Sequence, residues 1–261
     1  MIVREPAVAG TFYPDHPRRL RRDLESFLGP VQAEGHGPPP KALIVPHAGY
    51  IYSGEVAGSV YRRLGPVAGA ISRVVLLGPA HTVYLEGMAI PEADCFSTPL
   101  GQVPLDQQAI ETIASLPGVV RSNAAHSREH SLEVQLPFLQ VLLGDFRLVP
   151  LVVGHCDPDL VAAVIDTLWG GPETLIVVSS DLSHFLPYGE ARDVDSDTCR
   201  RIIDKSSSLI GEQACGAYAI NGLMRSRHCQ ELSVEAVDLR NSGDTAGDKR
   251  RVVGYGAFLL H

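Results

Sequence analysis

The sequence predicts a single α/β domain over residues 1–261, in which a mostly parallel central sheet carries helices on both faces. Three short runs of branched aliphatic residues, each closed by Pro, Gly or Ser, are typical of buried parallel strands. Stretches with helical spacing alternate with these runs, which favours a sheet covered on both sides. The length of 261 residues and the hydrophobic content of 45% fit one large domain with a sizeable core.

The predicted elements follow one another along the chain. The predicted strands are aliphatic runs at residues 42–45, 72–78, 86–90, 147–153, 174–179, 233–240 and 251–259, of which the last two are interpreted as antiparallel edges. The predicted helices have an apolar face or a good opening residue and cover residues 16–28, 53–61, 106–116, 131–143, 158–169, 190–204 and 212–225. Ser53 is a suitable N-cap, and Pro137 should kink its helix or shift its start. Residues 35–40 are expected to form a flexible lead into the first strand.

Polar residues that include histidine follow three of the predicted buried strands. His47 follows the strand at 42–45, His81 follows the strand at 72–78, and Asp181 and His184 follow the strand at 174–179. In an open α/β sheet, ligands bind just past the carboxyl ends of the strands. Histidine is the commonest metal ligand and the usual acid or base near neutral pH. The pattern therefore predicts one crevice that collects these side chains, although any single histidine could instead be a satisfied core or loop residue.

Two further sites are open to more than one interpretation. His126 and His130 lie four residues apart and would share one face of a helix, but the HExxH order is absent, so a polar helix N-terminus is the alternative. Cys215 is flanked by small residues near a predicted helix start, where a thiol favours its thiolate form. Spacing alone favours a buried, inert thiol at this position.

Asp181 and His184 are three residues apart, which places them in one turn or in the first turn of a helix.

The charge, the apolar stretches, the cysteines and the missing motifs each argue against particular classes of protein. The net charge of −8 argues against a nucleic-acid or anionic-membrane surface. No apolar stretch reaches the ~18 residues that a membrane helix needs, and no signal peptide opens the chain. Five widely spaced cysteines without a CxxC pair favour a reducing cytoplasm. The phosphate loop, the dinucleotide fingerprint and the serine-hydrolase nucleophile elbow are missing from the sequence.

Several long motifs, in order along nearly the whole chain, resemble the Memo family, whose prokaryotic members are named AmmeMemoRadiSam system protein B. They are REPAVAGTFYP at 4–14, PHAGYIYSG at 46–54, GPAH at 78–81, EHSLEVQLP at 129–137, SSDLSH at 179–184, and NSGD at 241–244 with VGYG at 253–256. The resemblance implies a fold similar to that of the LigB-type class III extradiol dioxygenases. Those enzymes open catechol rings with non-haem Fe(II).

The resemblance also implies roles for individual residues. His47 and His81 match the two metal-binding histidines, and Cys215 is the best match for the cysteine that takes the place of a glutamate ligand. His184 matches the acid/base histidine, with Asp181 beside it. Tyr50 and His130 are expected to line the substrate pocket.

The predicted function is that of a metal-dependent oxidoreductase acting on a small aromatic or peptide-like substrate. Fe(II) is the expected metal, with copper as the competitor because a thiolate is softer than a carboxylate. The family name implies a pathway partner of the radical-SAM class. Two alternatives stay open: a non-catalytic module that binds a peptide or protein in the same crevice, and a metal-dependent hydrolase that activates water.

Overall fold

The computed structural model describes residues 1–30 and 38–261; residues 35–37 of the predicted lead segment lie outside them. The strands are β1 (Val3–Arg4), β2 (Ala42–Val45), β3 (Arg73–Pro79), β4 (Met88–Ile90), β5 (Cys95–Thr98), β6 (Gly101–Pro104), β7 (Val119–Arg121), β8 (Arg147–Val153), β9 (Thr174–Ser179), β10 (His184–Leu186), β11 (Val234–Asn241) and β12 (Val252–Leu260). The α-helices are α1 (Pro17–Leu28), α2 (Tyr50–Tyr61), α3 (Gln107–Ile113), α4 (Asn123–Ser127), α5 (Leu136–Leu143), α6 (Pro158–Leu168), α7 (Tyr188–Ile203) and α8 (Ala217–Arg225). Short 3₁₀ segments cover Arg62–Ala70, Glu133–Gln135, Cys229–Glu231 and Ser242–Asp244.

The main sheet confirms the predicted α/β class and has a parallel centre. Its strand order is β10-β12-β2-β9-β3-β8-β4-β7, and β11 pairs with β12 beside this path. The neighbours β2, β9, β3 and β8 are all parallel. The aliphatic side chains of these strands are almost completely buried, as their continuous hydrophobic runs predict. Helices flank the sheet, with α2 packed against β2 and β12, and α8 against β3.

The sheet as a whole is mixed, because its flanks are antiparallel. Strand β12 is antiparallel to β2, β10 and β11, and β4 is antiparallel to β8. The connection from β11 to β12 covers only residues 242–251, which is too short for the helical crossover that a parallel pair needs. Strand β12 was expected at an edge of the sheet. It lies inside the sheet, because it pairs with β2 on one side and with β10 and β11 on the other.

A second, three-stranded sheet places the N-terminal segment. Strand β1 pairs in parallel with β5, and β5 pairs antiparallel with β6. The sequence reasoning missed these strands, as it missed β7 and β10, because each has only two to four residues and no long aliphatic run. This small sheet positions Arg4 of β1, whose side chain is buried next to the segment that carries the candidate site.

Three helix boundaries differ from the prediction, and each difference affects the site. Ser53 is not an N-cap: α2 begins at Tyr50, and the Ser53 hydroxyl lies inside the helix and donates to the carbonyl of Ala48. The last predicted helix begins only at Ala217, so Cys215 precedes it. His126 belongs to α4, which ends at Ser127, so it shares no helical face with His130.

The remaining helix predictions agree closely with the structure. Asp157 caps α6 by accepting from the backbone N–H of Asp159, and Asp106 caps α3 in the same way through Ala109. Pro137 lies in the first turn of α5, where its missing N–H costs nothing, and it shifts the helix start as predicted. Among the described residues, none of the helices combines the length and the apolar content that a membrane span requires.

Candidate metal centre

The carboxyl ends of the parallel strands open onto one cleft. Because β2, β9 and β3 are adjacent and parallel, the residues that follow them meet at one edge of the sheet. His47, His81, Asp181 and His184 all line a cleft of about 720 Å³ at this edge, together with His130. Asp181 and His184 do not share a helix: Asp181 lies in an irregular stretch, and His184 is the first residue of β10.

Three imidazoles in this cleft lie close enough to hold one metal ion. One ring nitrogen each of His47, His81 and His130 lies within 4.8 Å of the other two, and among the described residues this is the only such group of three or more. The rings of His81 and His130 stack at a centroid distance of 4.7 Å. His47 meets both rings edge-on, at centroid distances of 5.2 and 5.5 Å.

Hydrogen bonds fix which nitrogen of His47 is available. Its Nδ1 lies 2.9 Å from the Oγ of Ser179, and that hydroxyl donates to the carbonyl of Ser131 at 2.6 Å. The Oγ of Ser179 also accepts from Gln135 Nε2 at 2.8 Å. Since the serine hydrogen is already used, Nδ1 of His47 must be the donor, and Nε2 keeps a lone pair. Burial, followed by the neighbouring histidines, holds the pKa of His47 well below its ordinary value, so the ring is neutral and able to ligate.

Glu129 orients His81 in a similar way. Its buried carboxylate accepts from Nδ1 of His81 at 2.9 Å and from the His81 backbone N–H at 2.6 Å. It also accepts from the backbone N–H of Ser131. Burial opposes the charge, but the hydrogen bonds from His81 and Ser131 outweigh it and lower the pKa of Glu129 to about 2. The carboxylate therefore leaves Nε2 of His81 free, as the orienting partners of metal-binding histidines do.

Cys215 lies beside His47 but outside the group of three. Its Sγ is 3.3 Å from Nε2 of His47 and accepts from the backbone N–H of Asp181 at 3.3 Å. Burial, assisted by the nearby Asp181 carboxylate, raises the pKa of the Cys215 thiol to about 12. The thiol is therefore protonated, and both Nε2 of His47 and the carbonyl of Asp181, at 3.7 Å, lie within its reach. The nearby start of α8 does not make Cys215 a thiolate, because the loss of hydration on burial dominates.

Asp181 and His184 provide ionisable groups next to the three histidines. Asp181 is buried, and its Oδ1 accepts from the backbone N–H of His47 at 2.7 Å. Burial raises the pKa of Asp181 to about 7, so its carboxyl group can exchange a proton near neutral pH. His184 is half-buried, and burial lowers its pKa, which favours the neutral base.

Two residues considered from the sequence lie away from the cleft. Tyr50 is buried in the core against Phe138, and its hydroxyl donates to the carbonyl of Val134 at 2.7 Å. Tyr50 is therefore not a cleft-lining residue, whereas Tyr52, two residues further along the same helix, lines the cleft. His126 is buried with Nε2 at 2.8 Å from the carbonyl of Ala89, which makes it a core histidine.

Five residues that contribute to the site were missed or given other roles on sequence grounds. His130 was considered with His126 as a pair on one helical face, as in HExxH metal sites, and otherwise as a pocket-lining residue, whereas Glu129, Ser179 and Gln135 were assigned no role. The available signal was their position in the same motifs as the histidines, since Glu129 precedes His130 and Ser179 ends a buried strand. Phe12 was also missed, and its ring packs on His130 at a centroid distance of 4.7 Å.

Comparison with known sequences identifies the family to which this arrangement belongs. The profile described as Memo-like protein matches residues 4–259. The chain belongs to the Memo family. A MEMO1 family protein of Aquifex aeolicus is 37% identical over 267 residues, with 98% of each chain covered. One from Archaeoglobus fulgidus is 35% identical over 272 residues, with 99% of each covered.

A solved structure extends the comparison to the fold. The uncharacterized protein JW3007 from Escherichia coli K12 aligns with a TM-score of 0.51 at 11% sequence identity, and the alignment covers 85% of this chain and 100% of that one. At this identity the match shows a shared fold and nothing about activity. The Memo motifs, by contrast, coincide with the site: GPAH at 78–81 carries His81, and EHSLEVQLP at 129–137 carries Glu129 and His130.

Proposed function

We propose that this member of the Memo family is a metal-dependent oxidoreductase that acts with O₂ on a small aromatic substrate. The observation that carries the proposal is the group of three histidines, two of which have their Nδ1 atoms occupied by Ser179 and Glu129. Imidazoles whose Nε2 atoms are oriented in this way are donors that Fe(II) and copper accept.

The residues present fit a bound metal. His47, His81 and His130 would hold it, and Cys215 is the proposed additional thiolate ligand beside His47. When bound, a redox-active ion supplies electron transfer between O₂ and a catechol. Around it, His184 would take the proton of a substrate hydroxyl, and the buried Asp181 carboxyl would hold or return a proton at the cleft floor.

The donor set alone does not select the metal, because three imidazoles suit Fe(II), zinc and copper alike. We propose Fe(II), the metal of the dioxygenases that the Memo motifs resemble. A site in which Cys215 ligates as thiolate shifts the preference toward Cu(I), and copper is therefore the competitor.

The test measures metal content and oxygen uptake together. Protein purified without chelator should contain iron, and His81→Ala and His130→Ala should lose most of it. With Fe(II) and a panel of catechols, the wild type should consume O₂ as the ring opens and both oxygen atoms enter the product. His184→Ala should keep its metal and lose turnover.

Each result separates the alternatives. Unchanged metal content in the histidine variants would refute the ligand assignment. Tight peptide binding without oxygen uptake would instead support the non-catalytic binding module. His155→Ala is the matched control, because its ring packs on Tyr218 and does not line the cleft.

One observation favours a second candidate, a metal-dependent hydrolase. Three histidine ligands with an open position also characterise catalytic zinc sites, in which the metal lowers the pKa of bound water. Hydrolysis of an ester panel that requires added Zn²⁺ and disappears in His47→Ala would support this candidate. Zinc-independent hydrolysis, or none, would count against it.

Two further proposals concern the cellular context of the protein, and the family name supports the first of them. We propose a radical-SAM enzyme as a pathway partner, and co-purification of the two proteins from the native host tests this. We also propose a cytoplasmic location, which agrees with five free cysteines. Fractionation of native cells with an antibody to the chain tests the location.

A further inference from the structure

Two of three consecutive basic residues line the cleft that holds the three histidines. Lys249, Arg250 and Arg251 end the connection between β11 and β12, and both arginines line the cleft. The chain as a whole has a net charge of −8, so its general field repels anions. A local cluster of positive charge on a cleft wall counteracts this repulsion for a ligand that enters the cleft.

Of the two arginines that line the cleft, only Arg251 lacks a carboxylate partner among the described residues. Arg250 is paired with Asp248 at 2.9 Å, and Lys249 lies over the ring of Tyr188 at 4.4 Å. In the described ranges, no carboxylate lies within 4.0 Å of the Arg251 guanidinium. That group lies over the ring of Phe185, 5.0 Å from its centroid.

Phe185 is held in a conformation that an aromatic residue rarely adopts. Its φ is 61°, in the left-handed region, and its side chain is 59% exposed. Such a backbone is strained for a residue with a side chain and persists where the surroundings fix it, which happens most often at functional sites. Here the pairing of β10 with β12 is irregular between His184 and Leu186, on either side of Phe185.

This conformation joins the acid/base candidate to the unpaired cation. The Phe185 ring lies 5.8 Å from the ring of His184 and beneath the guanidinium of Arg251. The other cleft walls include the aromatic side chains of Phe12, Tyr52 and Tyr255. A flat ligand that contacts these walls would thus extend from the three histidines toward Arg251.

We propose that Phe185 and Arg251 form an anion subsite that binds the carboxylate of a planar substrate. The proposal rests on the proposed function, which places the reacting end of that substrate at the three histidines. A guanidinium matches a carboxylate through two parallel N–H donors, and a guanidinium that lies over an aromatic ring can still donate from its edge. One unpaired cation balances the single charge of a carboxylate better than the double charge of a phosphate.

The test compares a charged ligand with its neutral isostere. Binding of protocatechuate, a catechol with one carboxylate, and of its neutral amide is measured by calorimetry under anaerobic conditions, with the protein as purified and after addition of Fe(II). We expect the wild type to bind the carboxylate roughly fivefold to tenfold more tightly than the amide. Arg251→Gln should remove this preference, and Arg251→Lys should keep part of it.

A matched control and a separate readout keep the result interpretable. Arg192→Gln removes a guanidinium that also lies over an aromatic ring, that of Tyr188, but does not line the cleft, so it should keep the preference. Equal affinity for both ligands, binding of neither, or a preference that survives Arg251→Gln would overturn the subsite. Oxygen uptake is measured separately. A carboxylate preference without any oxygen uptake would refute only the oxidoreductase. Oxygen uptake with charged and neutral catechols, with no difference between their affinities, would refute only the subsite.

Discussion

The carboxylate of Glu129 accepts hydrogen bonds from both the backbone N–H and the Nδ1–H of His81. Two contacts from one residue fix the position of its main chain and the rotation of its ring at once. The same carboxylate lies 3.5 Å from Nδ1 of His130, so it neighbours two of the three histidines. Glu129 is thus a positioning residue for the group, although it offers no ligand atom of its own to that group.

Glu129→Gln should weaken metal binding without removing a ligand. Glutamine replaces the anionic carboxylate by a neutral amide, which has one oxygen that accepts and one NH₂ group that donates. Nδ1 of His81 therefore loses its charged partner. We expect metal affinity to fall by about 10- to 100-fold, as for other orienting partners of ligating histidines. Competition with a chelator of known affinity measures this, and Glu86→Gln, at an exposed carboxylate that accepts from Tyr84, is the control. An unchanged affinity would contradict the positioning role.

Glu133→Gln should destabilise the fold through the N-terminal segment. The buried Glu133 carboxylate pairs with Arg4 and also accepts from the backbone N–H groups of Ala7 and Val8 and from the Tyr13 hydroxyl. Removal of one charge from a buried pair leaves the other uncompensated, which costs about 3–5 kcal/mol. Urea denaturation measures the loss, and proteolysis of the N-terminal segment should accelerate.

The surface pair of Arg63 and Glu235 provides the comparison for that measurement. It has the same chemistry at 2.9 Å, but both side chains are partly exposed. Glu235→Gln should therefore cost about 1 kcal/mol or less. Similar losses in the two variants would show that burial of the Arg4–Glu133 pair has no energetic consequence.

The parallel centre of the sheet and the strand-end cleft could be predicted because they depend on local patterns. Strands β2, β3 and β9 are aliphatic runs with clear ends, and the polar residues after them follow from the rule for parallel sheets. His47, His81, Asp181 and His184 reach one cleft for this reason. The order of the outer strands depends on pairings between distant segments, and no local pattern encodes it.

The position of His130 could not be predicted from its own segment. The spacing to His126 suggested one helix, but α4 ends at Ser127. Arg4 stabilises this break by donating from Nε to the carbonyl of His126 and from Nη2 to the carbonyl of Glu129. A residue more than 120 positions away thus directs His126 to the core and His130 to the cleft. Tertiary contacts of this kind override local helical preference.

His126 should make the fold sensitive to acid. Burial lowers its pKa from 6.5 to about 4, so in this interval the unfolded chain binds a proton that the folded chain does not. Stability therefore falls as the pH decreases from 6.5 to 4, by roughly 3 kcal/mol from this residue. His126→Gln can keep the donor to Ala89 and should lose less stability over the same interval. Urea denaturation at several pH values tests this, with the exposed His16→Gln as control. Parallel curves for wild type and His126→Gln would refute the assignment.

Cys215→Ala should change which metal the site prefers more than whether it binds one. The three imidazoles stay in place, but the soft donor at 3.3 Å from Nε2 of His47 is lost. Because thiolate binds Cu(I) in preference to harder ions, the ratio of Cu(I) to Fe(II) affinity should fall by about tenfold or more. Competition titrations with each metal measure the ratio, and the control is Cys199→Ala, which removes a buried thiol that has no hydrogen bond to any of the three histidines. An equal loss of both affinities would indicate that Cys215 shapes the site without ligating the metal. An unchanged ratio with unchanged affinities would leave the histidines as the complete ligand set.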